Sequence, residues 1–140
     1  MLRLRKAPQQ LALFPGRKKS NPSVLEFPKQ CVIADACRLF ISPGWKWTHL
    51  PFGEYRTPST ADRLKRMGVM PGWPDLLFVA PWGLHHYVEL KRIGGRLNAA
   101  QAEMRRFFHT AGVPYLLSAD VGEVLHTLQF WGALRSDARF

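Results

Sequence analysis

The run Leu76-Leu77-Phe78-Val79-Ala80, followed by Pro81-Trp82-Gly83 and a second extended run up to Lys91, constrains this chain more than any other feature. Apolar, strand-forming residues on both sides of a Pro/Gly turn predict an antiparallel hairpin. With Trp82 at the centre of a three-residue turn, Ala80 pairs with Leu84, and the same register sets Asp75 opposite Glu89. Directly opposed residues share a face of the sheet, and so do residues two apart along a strand. Asp75, Glu89 and Lys91 are therefore expected on one face, at one end of the hairpin.

Two carboxylates held that close are costly. At about 5 Å and an effective dielectric of ~20 they repel by roughly 3 kcal/mol. Lys91 offsets part of this, and a divalent cation offsets more. Hard carboxylate oxygens suit Mg²⁺ or Mn²⁺, ions that keep several waters and often bind through one or two carboxylates plus a substrate phosphate. Such an ion acidifies a bound water and neutralises charge on a phosphodiester, while a lysine beside it orients the water or stabilises developing negative charge. The plainer alternative is a salt-bridged surface hairpin, because the spacing Asp…Glu-x-Lys is common by itself.

The neighbouring residues narrow the choice. Gly68-x-x-x-Gly72-x-Pro74-Asp75-Leu76, then Glu89-Leu90-Lys91-Arg92, then Gly95-Arg96-Leu97 and Gln101 form an ordered pattern. Upstream of it lie His49-Leu50-Pro51-Phe52-Gly53-Glu54 and Ala61-Asp62-Arg63-Leu64-Lys65-Arg66-Met67-Gly68. From about Glu26 to Trp131 the chain resembles the VRR-NUC family of the PD-(D/E)xK nuclease superfamily. The resemblance implies an α/β fold, a restriction-endonuclease-like mixed β-sheet flanked by helices, and a metal-dependent DNA endonuclease. Asp75 and Glu89 match the metal ligands, with the carbonyl of Leu90 joining them, Lys91 matches the catalytic lysine, and Gln101 matches the glutamine of the following helix. Glu26 matches the helical glutamate that completes the metal site. Relatives act on branched DNA, and lone-domain members look like Holliday-junction resolvases working as homodimers. Two positions depart from the pattern. Pro28 falls where the helix carrying Glu26 should be under way, and Phe52 replaces a frequent asparagine.

Both Glu26 and Gln101 also have structural roles open to them. A helix beginning near Glu26 or Phe27 would leave Glu26 at its end, complementing the positive dipole there. Gln101, three residues after Asn98, fits the reciprocal capping box of a helix start.

The chain has 20 Lys and Arg against 10 Asp and Glu, a formal charge of +10 over 140 residues. Such an excess fits a phosphate-bearing partner bound through counterion release, without choosing DNA over RNA. Arg3, Arg5, Lys6, Arg17, Lys18 and Lys19 precede the first acid, Glu26, so residues 1–22 read as a basic arm and 23–140 as the nuclease-like domain. Arg63, Lys65, Arg66, Arg92 and Arg96 are candidates for holding DNA by its phosphates, which sets position without reading sequence. Their alternative is a solvated surface.

The length suits one domain with a sizeable core, and 46% hydrophobic residues argue for a folded chain. No apolar run approaches the roughly 20 residues that span a membrane. A cytoplasmic protein of a bacterial or phage-infected cell is expected, in keeping with the lone-domain members of the family the chain resembles. Cys31 and Cys37, six apart, suit neither zinc nor a mutual disulfide and read as buried thiols. His85 and His86 should point to opposite faces of their strand, and none of the five histidines shows metal-ligand spacing.

The remaining elements follow from local signals. A helix is expected over about Pro28 to Phe40, with Val32, Ile33, Ala36, Leu39 and Phe40 as its apolar stripe. A strand over Lys46–Leu50 comes next, then a short basic helix capped by Ser59 or Thr60 and closed at Gly68. After the hairpin, Asn98 caps a helix to about Ala111, Pro114–Ser118 forms a strand, and Asp120 opens a last helix through Phe130. A packed α/β arrangement around a mixed sheet results. The expected activity is Mg²⁺- or Mn²⁺-dependent cleavage of branched DNA, at a Holliday junction or flap, by a homodimer. The runner-up is a DNA- or RNA-binding module that keeps the fold without cutting. A sequence-specific restriction-type enzyme is disfavoured, since the chain has little room for a recognition insertion.

Overall fold

The hairpin forms in the register its turn dictates. In the computed structural model, which describes residues 22–140, strand β2 (Leu76–Val79) pairs antiparallel with β3 (His85–Leu90), Leu76 opposite Val88 and Phe78 opposite His86. The turn closes through the N–H of Ala80 donating to the Leu84 carbonyl at 2.9 Å and that of Gly83 donating to Ala80 at 2.8 Å. On one side β1 (Lys46–His49) adds antiparallel to β2, and on the other β4 (Tyr115–Ser118) adds parallel to β3. The result is a mixed four-stranded sheet in the order β1-β2-β3-β4.

Four helices flank it: α1 (Pro22–Phe40), α2 (Pro58–Arg66), α3 (Ala99–Thr110) and α4 (Val121–Phe130). Leu76, Phe78, Ala80, Val88 and Leu90 form one apolar face of the sheet. Ile33, Ala36 and Cys37 of α1 and Val124, Leu125 and Leu128 of α4 cover it. Parts of the α1 stripe expected from sequence are displaced: Val32 and Leu39 are exposed, and Cys37 takes a core position. There burial pushes its thiol up to about 12, while Cys31 is only half-buried. The opposite face carries an aromatic cluster in which Tyr87 stacks on Phe108 of α3, their ring centroids 4.5 Å apart, and Trp73 packs on both. His85 is exposed and His86 buried, and alternation sets the two on opposite faces. The His86 ring sits 5.0 Å from Trp45 and from Trp131, and burial holds its pKa below the usual histidine value.

Two helix starts differ from the sequence expectation. Helix α1 begins at Pro22 and runs through Pro28, so Glu26 lies inside the helix and not at its end. An interior proline forfeits one backbone bond and costs about 3 kcal/mol. The same turn recovers stability through Lys29, whose ammonium donates to the carbonyls of Ala119 at 2.7 Å and Lys91 at 3.2 Å, and charge-assisted bonds of this kind contribute about 1.5–3 kcal/mol each. Helix α2 is capped by Thr57, whose Oγ1 accepts from the Thr60 N–H, with Pro58 at the first helical position. Proline there is preorganised for a helix start, which moves the cap ahead of Ser59 and Thr60. The basic arm expected over residues 1–22 lies outside the described residues apart from Pro22. No helix among the described residues is long and apolar enough to cross a membrane.

Gly72 brings the loop before β2 against α3. Its φ is +90°, and a Cβ there would meet the Ala100 carbonyl oxygen at 2.5 Å. Gly83 has a similar φ of +88°, but nothing within 4 Å of where a Cβ would sit. Gly83→Ala is therefore expected to cost only the left-handed backbone penalty, about 1–2 kcal/mol. Gly72→Ala adds a backbone clash and should lose about 3 kcal/mol or more. Urea denaturation of the two variants checks this, and equal losses would mean that the loop does not rest on α3.

Candidate active site

The site is built at the end of the hairpin, where the ladder stops. Continuing the β2–β3 register places Asp75 opposite Glu89 and Pro74 opposite Leu90. Pro74 has no N–H to give, so the Leu90 carbonyl opposite it receives no ladder bond. The Leu90 N–H in turn donates to a side chain, Asp75 Oδ2, at 2.7 Å. The backbone carbonyl of Asp75 is held from the other side, by the Leu50 N–H at 2.7 Å and by His49 Nδ1 at 2.8 Å. A carbonyl can only accept, so His49 Nδ1 carries the proton. Asp75 is thus fixed through both its backbone and its side chain.

Glu89 is almost completely buried, at 1% exposure. Its Oε1 receives Lys91 Nζ at 2.8 Å and Gln101 Nε2 at 2.6 Å. Gln101 Oε1 accepts in turn from Lys91 Nζ at 3.1 Å and from the Asn98 N–H at 3.1 Å. The carboxylate and the ammonium dictate the orientation of the amide, since one only accepts and the other only donates. Gln101 therefore fills both roles open to it from sequence. It completes the capping box of α3, with Asn98 Oδ1 accepting from its own N–H at 2.9 Å, and it bridges Glu89 and Lys91. Two of the three ammonium donors of Lys91 have partners in this triangle. Among the described residues no hydrogen bond reaches Asp75 Oδ1 or Glu89 Oε2.

These residues line one cavity of about 830 Å³, together with Glu26, His49, Glu54 and Arg96. Burial pushes the Asp75 carboxyl above its ordinary range, opposed by the Leu90 N–H and by Lys91 and assisted by Glu26. Glu89 is pushed up to about 7, first by burial and then by the Asp75 charge, with Lys91 working against both. Glu26 adds negative charge to the cavity, but no group of three or more His, Cys, Asp or Glu side chains among the described residues is placed to hold a metal ion. What the site offers a cation is a pair of carboxylates whose open oxygens are hard donors.

Of the residues singled out from sequence, Glu26, Asp75, Glu89, Lys91, Gln101 and Arg96 come together in this cavity. Leu90 buries its side chain in the core and gives its N–H to Asp75. Arg63, Lys65 and Arg66 occupy the exposed last turn of α2, a helix with no buried residue, and Arg92 is exposed beyond β3; none of these four lines the cavity. Sequence reasoning missed Lys29, whose two bonds join residues 62 and 90 positions apart and so leave no local signal. It also found only that His49 lacks metal-ligand spacing with the other histidines. The residue braces Asp75 and also lines the cavity, with Nε2 3.4 Å from Glu54 Oε1.

The raised Glu89 carboxyl has a stability consequence. Below its ordinary value of 4.5 the group is protonated in both folded and unfolded chains, and its full contribution is present. As pH rises toward about 7, the unfolded chain ionises freely while the folded one resists, so stability is lost across that window. Glu89→Gln keeps the shape and an acceptor oxygen without the charge. In EDTA it should match the wild type at pH 4 and exceed it at pH 8 by on the order of 2 kcal/mol. Thermal melts at both pH values check this, and a pH-independent difference would contradict the assignment.

No protein-family model and no curated protein matches the chain at the level of sequence. A solved structure described as a VRR_NUC domain superposes on it with a TM-score of 0.53 at 18% identity, covering 76% of this chain and 97% of that one. The chain has the fold of a VRR_NUC domain: a mixed four-stranded sheet flanked by four helices.

Proposed function

We propose that this protein is a divalent-metal-dependent DNA endonuclease that hydrolyses phosphodiester bonds in branched DNA, at Holliday junctions or flaps, and works as a homodimer in the cytoplasm. The observation that carries the reading is the convergence of Asp75, Glu89, Lys91 and Gln101 in one cavity, on a fold shared with a domain named for nuclease activity.

The donor set fits Mg²⁺ or Mn²⁺, which need only one or two carboxylates when water and a substrate phosphate fill the remaining positions. Asp75 and Glu89 would hold the ion through the oxygens that lack protein partners, with the Leu90 carbonyl as a third donor and Glu26 close by. When bound, it supplies Lewis acidity toward the phosphate and a more acidic water. Gln101 keeps the Glu89 carboxylate oriented, so its second oxygen stays turned to its task. Lys91 spends two N–H donors on Glu89 and Gln101 and keeps a third to orient the attacking water or to meet charge developing on the phosphate. His49 and Lys29 position the reacting groups, the first through the Asp75 backbone and the second through the carbonyl of Lys91.

DNA would be held by Arg96, which lines the cavity, and by Arg63, Lys65, Arg66 and Arg92 outside it. None of the five joins a salt bridge among the described residues. The basic arm over residues 1–22 would add to this field, and the dimer would present two cavities about a two-fold axis, a symmetry suited to a four-way junction.

End-labelled four-way junction, flap, nicked, single-stranded and plain duplex DNA, each with Mg²⁺, Mn²⁺ or EDTA, test the activity. Cutting should require the ion, favour the branched forms and fall at least about 100-fold in Lys91→Ala, the scale of a lost electrostatic catalytic group. Structure-selective binding without cutting under any metal would replace the nuclease by a binding module. Separately, Arg63→Ala combined with Arg66→Ala should weaken DNA binding and flatten its dependence on salt by about two phosphate contacts. An unchanged slope removes α2 from the interface.

A further inference from the structure

Two aromatic rings line the cavity and stay largely exposed among the described residues. Phe27 of α1 is 68% exposed and Tyr55, beyond the short helical turn Pro51–Gly53, is 86% exposed, yet both line the cavity that holds Asp75, Glu89 and Lys91. Neither packs on another aromatic ring among the described residues, whereas Trp73, Tyr87, Phe108 and Tyr115 build a cluster of their own beneath α3. Rings of this size cover 150–250 Å² when buried, so leaving two in water beside a polar cavity forgoes stability. Phe27 has no polar atom in its side chain to justify its position by a hydrogen bond.

We propose that Phe27 and Tyr55 form a base-stacking site, which takes an unpaired nucleobase of the DNA strand entering the cavity. The inference rests on the nuclease reading for the identity of that strand, and it names the feature the substrate must have. Arg96, exposed and lining the same cavity, supplies the positive charge that a strand phosphate needs. Stacking on an aromatic face serves any base, because every base has a π-face. In continuous duplex both faces of each base are already covered by its neighbours, so the rings gain nothing without first unstacking it. A base at a flap, fork or junction has a free face. The two rings therefore favour DNA with an unpaired nucleotide next to the cut, while the basic residues hold any DNA.

The test measures binding in EDTA, where no cutting is expected, to a plain duplex and to the same duplex carrying a single-stranded flap. The flap carries 2-aminopurine at its first unpaired position. The wild type should bind the flap more tightly and quench the probe. Phe27→Ala and Tyr55→Ala should each lose about tenfold in flap affinity, the effect of one stacked base, and lose the quenching. Their duplex affinity and melting temperature should stay those of the wild type, and Tyr55→Trp should restore flap binding. Equal losses on both DNAs, unchanged affinity, no flap binding by the wild type, or a change only in oligomeric state would overturn the proposal. The last of these would make the rings a contact between copies of the chain. The two readings fail separately. Flap-selective binding that depends on these rings, without cutting under any metal, removes the nuclease and keeps the stacking site. Lys91-dependent cutting that ignores both alanine variants removes the stacking site alone.

Discussion

Burial of the Glu89 carboxylate is the constraint around which one end of the molecule is arranged. A carboxylate at 1% exposure beside a second carboxylate is tolerated only if opposite charge and hydrogen bonds are brought to it. Lys91 and Gln101 are the groups brought, and each depends on a different part of the chain. Lys91 is held by its own N–H donating to the Ser118 carbonyl of β4 at 2.8 Å and by Lys29 of α1 at its carbonyl. Gln101 is held by the capping box of α3, and the first turn of α3 is where Gly72 allows the loop before β2 to approach. One buried charge thus ties together α1, α3, β3, β4 and the loop that carries Asp75.

The two faces of the sheet divide the work. The face under α1 and α4 is apolar and closely packed, and it holds the strands in register without contributing a group to the cavity other than through backbone. The opposite face begins as an aromatic cluster and turns polar at the end of β3, so Tyr87, Glu89 and Lys91 follow one another from packed ring to buried carboxylate to ammonium. Strand alternation makes that gradient possible. The aromatic end supplies the low-dielectric wall that strengthens the ion pair and raises both carboxyl groups. A site of this kind costs stability at neutral pH when nothing opposes the paired carboxylates, and a bound cation would offset that cost.

The sequence by itself determined the hairpin and its register, because the turn residues and the alternation of two short strands leave one pairing that buries Leu76, Phe78 and Val88 together. That register was enough to gather Asp75, Glu89 and Lys91, whose relation is local along two adjacent strands. Asn98 and Gln101 were equally legible as a cap, since a capping box spans a single turn. The start of α1 was not legible: Pro28 argues against a helix by local rules, and the groups that overrule it, the carbonyls of Lys91 and Ala119 bonded to Lys29, lie just past the ends of β3 and β4, distant in sequence. The same holds for the bracing of Asp75 by His49 across β1 and for the exposure of Phe27 and Tyr55 on the cavity wall. Only the tertiary structure decided these, because they depend on which strand ends lie beneath which helix. Pattern and turn chemistry act over a few residues, whereas a buried charge is satisfied by whatever the completed fold sets beside it.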